Sequence, residues 1–181
     1  MAEEDLEKLL LQTAEGDQRA FATLYQQTAP RLFAVCQKML GRRSWAEEVL
    51  QEAYVRIWHN AGNFDHSRGA VLTWMVSVAR YRCIDFLRLR RVSERPLDDS
   101  NWAEFSDSGP GPLDLALQEG DGAALSRCMD TLTTDQRQCI VLAFFNGLTH
   151  EELCRKLEKP VGTVKSWVRR GLQNLKGCLQ P

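Results

Sequence analysis

Apolar residues recur three and four positions apart along almost the whole chain, and no stretch alternates with the period of two that a half-buried strand requires. The pattern fails once, from Val92 to about Leu117. Ser, Asp, Gly and Pro cluster there, and Ser106-Asp107-Ser108-Gly109-Pro110-Gly111-Pro112 offers no apolar face. The expected fold is therefore all-α, with two small helical domains joined by a flexible linker. At 181 residues and 44% apolar content, each domain can bury a core. The divisions expected are 1–92, a linker over 93–117, and 118–181.

In the first domain, Asp5 to Glu15 predicts a short amphipathic helix with Leu6, Leu9 and Leu10 inward. Gly16 ends it, and Asp17 caps a longer helix carrying Phe21, Leu24, Tyr25, Leu32, Phe33 and Cys36. Pro30 falls inside that pattern and predicts a bend or an interruption; Gly41 closes the helix. Ser44 with Glu47 reads as a capping box for a third helix bearing Val49, Leu50, Ala53, Tyr54, Ile57 and Trp58. A loop over 61–69 leads into a long helix from about Ala70 to Arg91, with Leu72, Trp74, Met75, Val78, Ala79, Ile84, Phe86 and Leu87. Beyond the linker, helices resume near Ala116 with Leu125, Cys128, Met129 and Leu132. Another starts at Thr134 or Asp135 and runs through Cys139, Ile140, Leu142, Ala143 and Phe145 to Gly147.

The stretch from Leu148 to Arg170 carries the sharpest functional signal. Thr149 is an N-cap, Glu151 and Glu152 suit the positive end of a helix, and Leu153 and Leu157 share one apolar face. Lys159-Pro160 breaks the helix. Gly162 is expected to turn the chain and Thr163 to cap a second helix, whose inward face is Val164 and Val168. Lys165, Ser166, Arg169 and Arg170 then point outward, where such a helix can reach phosphates and base edges in the major groove. This is a helix-turn-helix, and DNA is the implied partner.

The bulk charge hides this. Net charge is −1, yet Arg80 to Arg95 carries six cations against two anions, and Arg155 to Pro181 seven against one. Between them, Pro96 to Gly122 holds seven acids and no base. Two basic regions are thus separated by an acidic bridge, although solvated helix faces would also produce such a distribution. The six cysteines form no C-x-x-C pair, and His59, His66 and His150 do not stand at H-x₃₋₅-H spacing. No metal site is expected, and most of the cysteines read as small, reduced core residues. The charged start and the lack of a long apolar run point to a cytoplasmic protein.

With both halves in view, the chain resembles the bacterial extracytoplasmic-function sigma factors, the small branch of the sigma-70 family. The resemblance covers nearly the whole length. In the first domain it is carried by Arg19-Ala20-Phe21-Ala22-Thr23-Leu24-Tyr25, by Ala46 through Trp58, by Phe64-Asp65 and by Thr73 through Arg80. In the second it is carried by Leu132-Thr133, Gly147 through Leu153 and Pro160 through Ser166. A lone helix-turn-helix is common to many regulators; both modules in this order, with this linker, are specific.

The resemblance implies that the helix from Glu47 to Trp58 docks on the β′ clamp of core RNA polymerase through Glu47, Glu48, Gln51, Glu52 and Arg56, and that the β flap is a second contact. It implies that the loop over 61–69 and the helix after it read the −10 element of promoter DNA. There Asn63, Asp65, His66 and Ser67 offer hydrogen-bonding groups to a flipped base, and Phe64 either stacks on a base or anchors the core. Arg80, Arg82, Arg88 and Arg91 would track phosphates. Tyr81 stands where family members often carry Asn, which leaves the −10 preference open. Thr163, Lys165, Ser166, Arg169 and Arg170 would read the −35 element. Trp167 replaces a common Arg and either buries against the helix above or touches a thymine methyl. Cys154 replaces a small Ala where the two helices cross, which reads as a packing change. The linker would run through the polymerase's basic active-site and RNA-exit channel, and an anti-sigma protein is implied as a regulator. No cofactor is implied. A P-loop, G-x-G-x-x-G and G-x-S-x-G are all missing, so catalysis is not expected. The main rival is a stand-alone helix-turn-helix regulator binding a symmetric DNA site without polymerase.

Overall fold

The computed structural model describes residues 3–93 and 121–179, and every regular element in them is helical. The linker expected over 93–117 lies outside the described residues, apart from Ser93 at the end of a helix. The chain divides into two compact units, Met1–Ser108 and Gly109–Pro181.

In the first unit, α1 (Glu3–Ala14) buries Leu6 and Leu10. Gly16 turns the chain at φ +90°, and Asp17 then caps α2 (Gln18–Leu40) by accepting from the Arg19 and Ala20 amides. Helix α2 continues through Pro30 without interruption. Pro30 is exposed, so water can take the Gln26 carbonyl that loses its N–H partner there. Gly41 ends α2 in the left-handed region, at φ 71°. Helix α3 (Arg43–Asn60) corrects the expected capping box. It starts one residue before Ser44, its cap position is Arg42 with no side-chain cap bond, and Glu47 pairs instead with Arg43 Nε at 2.8 Å. Two 3₁₀ turns, 61–63 and 66–68, lead into α4 (Val71–Ser93).

Helices α2, α3 and α4 pack against one another and α1 lies mainly across α2. Leu24, Leu32, Val49, Ile57, Val71 and Met75 are fully buried between them. The buried polar pair Thr28 and Tyr54 is satisfied. Thr28 Oγ1 donates to the Leu24 carbonyl at 2.6 Å, so its contact with the Tyr54 hydroxyl, also 2.6 Å, has Tyr54 as donor. Burial pushes the Tyr54 phenol well above its ordinary pKa of 10.0. The buried Cys83 thiol is raised too, by its hydrogen bond to Cys36 and by burial.

The second unit holds α5 (Asp121–Asp130), α6 (Thr134–Phe145), α7 (His150–Leu157) and α8 (Val161–Leu179). Thr133 with Gln136, and Thr149 with Glu152, form reciprocal capping boxes at the starts of α6 and α7. One cluster, Cys139, Leu142, Leu153 and Val164, holds α6, α7 and α8 together. A second, Cys128, Leu132 and Leu175, joins α5 to the far half of α8, with Ile140 of α6 alongside. Gly171 permits the close approach of α8 to α6, because a Cβ there would sit 2.6 Å from Ile140 Cδ1.

Three expectations are corrected here. The turn before α8 is made by Glu158 in the left-handed conformation (φ 52°), not by Gly162, which lies inside the first turn of α8. Thr163 is likewise helical rather than a cap; its amide donates to the Pro160 carbonyl. And the cysteines are not all reduced. Cys128 of α5 and Cys178 of α8 form a disulfide across 50 residues, with Cα atoms 5.7 Å apart. Spacing along the chain carries no trace of this pairing, because it is the packing of α5 against the end of α8 that brings the sulfurs together. Cys36, Cys83 and Cys139 are buried free thiols and Cys154 is half-buried. No group of three or more His, Cys, Asp or Glu among the described residues could hold a metal ion. No described helix is long and apolar enough to cross a membrane.

Candidate nucleic-acid interface

The first unit's chemistry gathers where α3 passes into α4. Asp65 Oδ1 accepts from the Ser67 amide (3.0 Å) and hydroxyl (2.6 Å), which shapes the second 3₁₀ turn. Asn63 Nδ2 donates to Asn60 Oδ1 at 3.3 Å. The half-buried Phe64 ring packs edge-on against Trp74, centroids 5.8 Å apart, so it anchors the loop to α4. Beside it lies a cavity of about 240 Å³ lined by Asn63, Phe64, Asp65 and Gly69 from the loop and by Ala70, Thr73, Trp74 and Ser77 from α4. That is below the roughly 300–1,000 Å³ of drug-sized ligand sites and suits one planar heterocycle. Its walls combine two aromatic side chains with amide, carboxylate and hydroxyl groups, the chemistry that holds an unstacked base.

Of the expected −10 residues, Asn63, Phe64 and Asp65 thus line the cavity, while His66 and Ser67 sit exposed on the turn beside it. Arg88 and Tyr81 are exposed on α4. The half-buried Arg80 guanidinium lies 5.5 Å from the Tyr81 ring centroid, and desolvation lowers its pKa, against the pull of Tyr81. Arg82 departs from expectation. Its side chain is only 16% exposed and pairs with Glu52 of α3 and with Asp85 at 3.2 Å. The bond to Glu52 raises its pKa. A guanidinium held between two carboxylates cross-braces α3 and α4 and is not presented to a phosphate. The Arg91 side chain lies outside the described residues.

Sequence reasoning missed Thr73 and Ser77 as cavity residues. Their spacing of four, in line with the loop, was the available signal, but two hydroxyls on a helix are ordinary by themselves.

On α3, Glu47, Glu48, Gln51 and Arg56 are exposed, and Val55 is 57% exposed among them. Glu52 is the exception, engaged by Arg82. Val55, an apolar centre to this polar stripe, was also missed; it follows Glu48 and Gln51 at helical spacing.

In the second unit, Val164, Trp167 and Val168 pack on the α6–α7 core, which turns the other face of α8 outward. Lys165, Arg169 and Arg170 are exposed there, while Ser166 and Thr163 are half-buried. Among the described residues none of the three cations has an ion-pair partner. Trp167 and Cys154 are both half-buried and pack against this same core. This geometry defines a helix-turn-helix domain with an outward cationic face on α8, on the same chain as the small cavity beside Phe64.

The comparisons with known proteins narrow that class. The family model for Sigma-70 region 2 matches residues 24–92, and that for Sigma-70, region 4 matches residues 122–175. The ECF RNA polymerase sigma factor SigK of Mycobacterium tuberculosis strain H37Rv is 34% identical over 175 residues, covering 97% of this chain and 94% of the relative. SigK of Mycolicibacterium vanbaalenii is 33% identical over 177 residues, covering 97% and 89%. Among solved structures, Rhodobacter sphaeroides SigE in complex with the anti-sigma ChrR is 34% identical, covers 98% of this chain and 99% of its own, and has a TM-score of 0.48. The chain belongs to the extracytoplasmic-function sigma factors of the sigma-70 family.

Proposed function

We propose that the two units divide promoter recognition between them. The first binds core RNA polymerase through the exposed stripe of α3 (Glu47, Glu48, Gln51, Arg56, with Val55 at its centre). It holds a flipped −10 base in the cavity between Phe64, Trp74 and Ser77, and Arg80 and Arg88 follow the phosphates. Thr163, Lys165, Ser166, Arg169 and Arg170 of α8 engage the −35 element in the major groove, where a bidentate base contact discriminates by about 1–3 kcal/mol. The domain division 1–92, 93–117, 118–181 follows this assignment. The protein acts in the cytoplasm as a specificity subunit rather than as an enzyme, and an anti-sigma protein restrains it. The known complex of Rhodobacter sphaeroides SigE with an anti-sigma supports that partner.

The observation carrying this reading is the conjunction of a small cavity at the α3–α4 loop with a helix whose Lys165, Arg169 and Arg170 are exposed and have no ion-pair partner among the described residues. Run-off transcription with core polymerase lacking any sigma, over a library of promoters, tests it. Starts that depend on this chain and share paired −35 and −10 sequences are expected. Lys165→Ala or Arg169→Ala should weaken −35 recognition and flatten the salt dependence by about one unit of slope, leaving core binding intact. Glu48 or Gln51 substitutions should do the reverse. Binding to symmetric duplex DNA without polymerase would favour the free-standing regulator instead.

A further inference from the structure

We propose that the N-terminal helix α1 belongs to the −10 site as a positioning element, holding the first 3₁₀ turn so that Asn63 and Phe64 stand where a flipped base needs them. The inference deepens the promoter-recognition reading and rests on it. The family match gives α1 no role, because the Sigma-70 region 2 model begins at residue 24, past α1 and the start of α2. Nor is α1 suited to touch DNA itself. It carries four acids against one base, and such a helix repels phosphates. Any part it takes in recognition has to run through the protein groups it packs on.

Besides α2, that partner is the first 3₁₀ turn, residues 61–63. Ala14 closes α1, and its Cβ lies 3.9 Å from the place a Cβ on Gly62 would occupy, an ordinary van der Waals contact. Next to Gly62, Ala61 is buried. The chain passes from this turn straight into the cavity wall: Asn63 ends the turn, Phe64 follows, and both line the cavity. A turn this short has little strength of its own. The Phe64 amide donates to the Ala61 carbonyl at 3.2 Å, and Asn63 Nδ2 reaches the exposed Asn60 at 3.3 Å. Hydrogen-bond geometry in a 3₁₀ turn is poor, so support has to come from outside. It comes from α1 on one side and the end of α3 on the other. Leu6 and Leu10, both buried, tie α1 in turn to the core of the unit. Loosening α1 should therefore cost the grip on the base while leaving the exposed polymerase stripe of α3 in place.

The test uses the full chain bound to core polymerase and a labelled single-stranded oligonucleotide with the −10 sequence of a run-off-mapped start. A second probe has an abasic site at the flipped position. The ratio of the two affinities reads how well the cavity holds the base, and about 5- to 150-fold is expected for the parent. Leu10→Ala removes a buried anchor of α1 and should lose most of that ratio, with binding of core polymerase and of the abasic probe unchanged. Ala14→Cys with Gly62→Cys, closed by oxidised glutathione, then replaces the packing by a covalent tie. The Cβ separation of 3.9 Å fits a disulfide, roughly 3.8 Å on average. Closing that bridge in the Leu10→Ala background should restore the parent ratio, and either cysteine alone should not. A parent-like ratio in Leu10→Ala overturns the proposal. An equal loss of core binding also overturns it, because α1 would then only stabilise the unit. So does a closed bridge that leaves the ratio low, or a cysteine pair that does not close. A parent that binds both probes equally would sink the reading of the cavity as a base site and this inference with it, a result distinct from the others.

Discussion

Opening the Cys128–Cys178 bridge should destabilise the second unit selectively. The bond closes a loop of 50 residues between α5 and the last turn of α8. The loop-entropy relation for that length gives about 4 kcal/mol, and residual structure in the unfolded chain lowers the expectation to about 2–4 kcal/mol. Cys178→Ser is the cleanest perturbation. Cys178 is exposed, so Ser meets water, and Cys128 remains as a small buried residue within the Leu132–Leu175 cluster. Native-state hydrogen exchange on the full chain resolves the effect by region. Amides of α5 and the end of α8 should lose protection corresponding to that energy, while α1–α4 should not change. Adding reductant to the parent should reproduce the Cys178→Ser pattern. A change below about 1 kcal/mol, or an equal loss of protection throughout α1–α4, would refute the reasoning that this bridge acts as a local staple.

Three further outcomes follow from particular contacts. Glu158 holds a left-handed conformation at φ 52°, so Glu158→Gly should stabilise the second unit by about 0.5–1 kcal/mol in urea unfolding; a destabilisation would mean its side chain matters more than its backbone. The folded-state pKa values of Tyr54 and Cys83 are raised, so their contribution is fully present below the ordinary values of 10.0 and 9.0 and is lost as pH rises beyond them. Stability of the first unit should therefore fall from about pH 9 upward, and Tyr54→Phe should cost about 0.5–1.5 kcal/mol at neutral pH while flattening the alkaline slope. The Arg82–Glu52 brace should give a coupling of about 0.5–1.5 kcal/mol in a double-mutant cycle, kept modest because Glu52 is 44% exposed. Zero coupling would return Arg82 to the set of candidate phosphate contacts.

Most of the helices were legible because an amphipathic period is written directly into residue order. Asp17, Gly16, Gly41 and Thr149 were legible as well, since caps and left-handed turns are local chemistry. The outward face of α8 followed from the same logic: once Val164 and Val168 turn inward, Lys165 and Arg169 have to turn out. Local signals misled where two of them competed. Ser44 looked a better cap than Arg42, yet Arg43 captured Glu47, and Gly162 looked like the turn that Glu158 makes.

The sequence by itself determined the elements, the order of the two modules and the family, since each rests on spacing within a few residues or on motifs. Only the tertiary structure decided which distant groups meet. It set Arg82 against Glu52, joined Cys128 to Cys178, and closed Thr73, Trp74 and Ser77 around the cavity beside Phe64. The physical reason is that helical periodicity specifies which side of each helix is buried. Which partner lies opposite depends on how the helices pack, and no period along one segment encodes that.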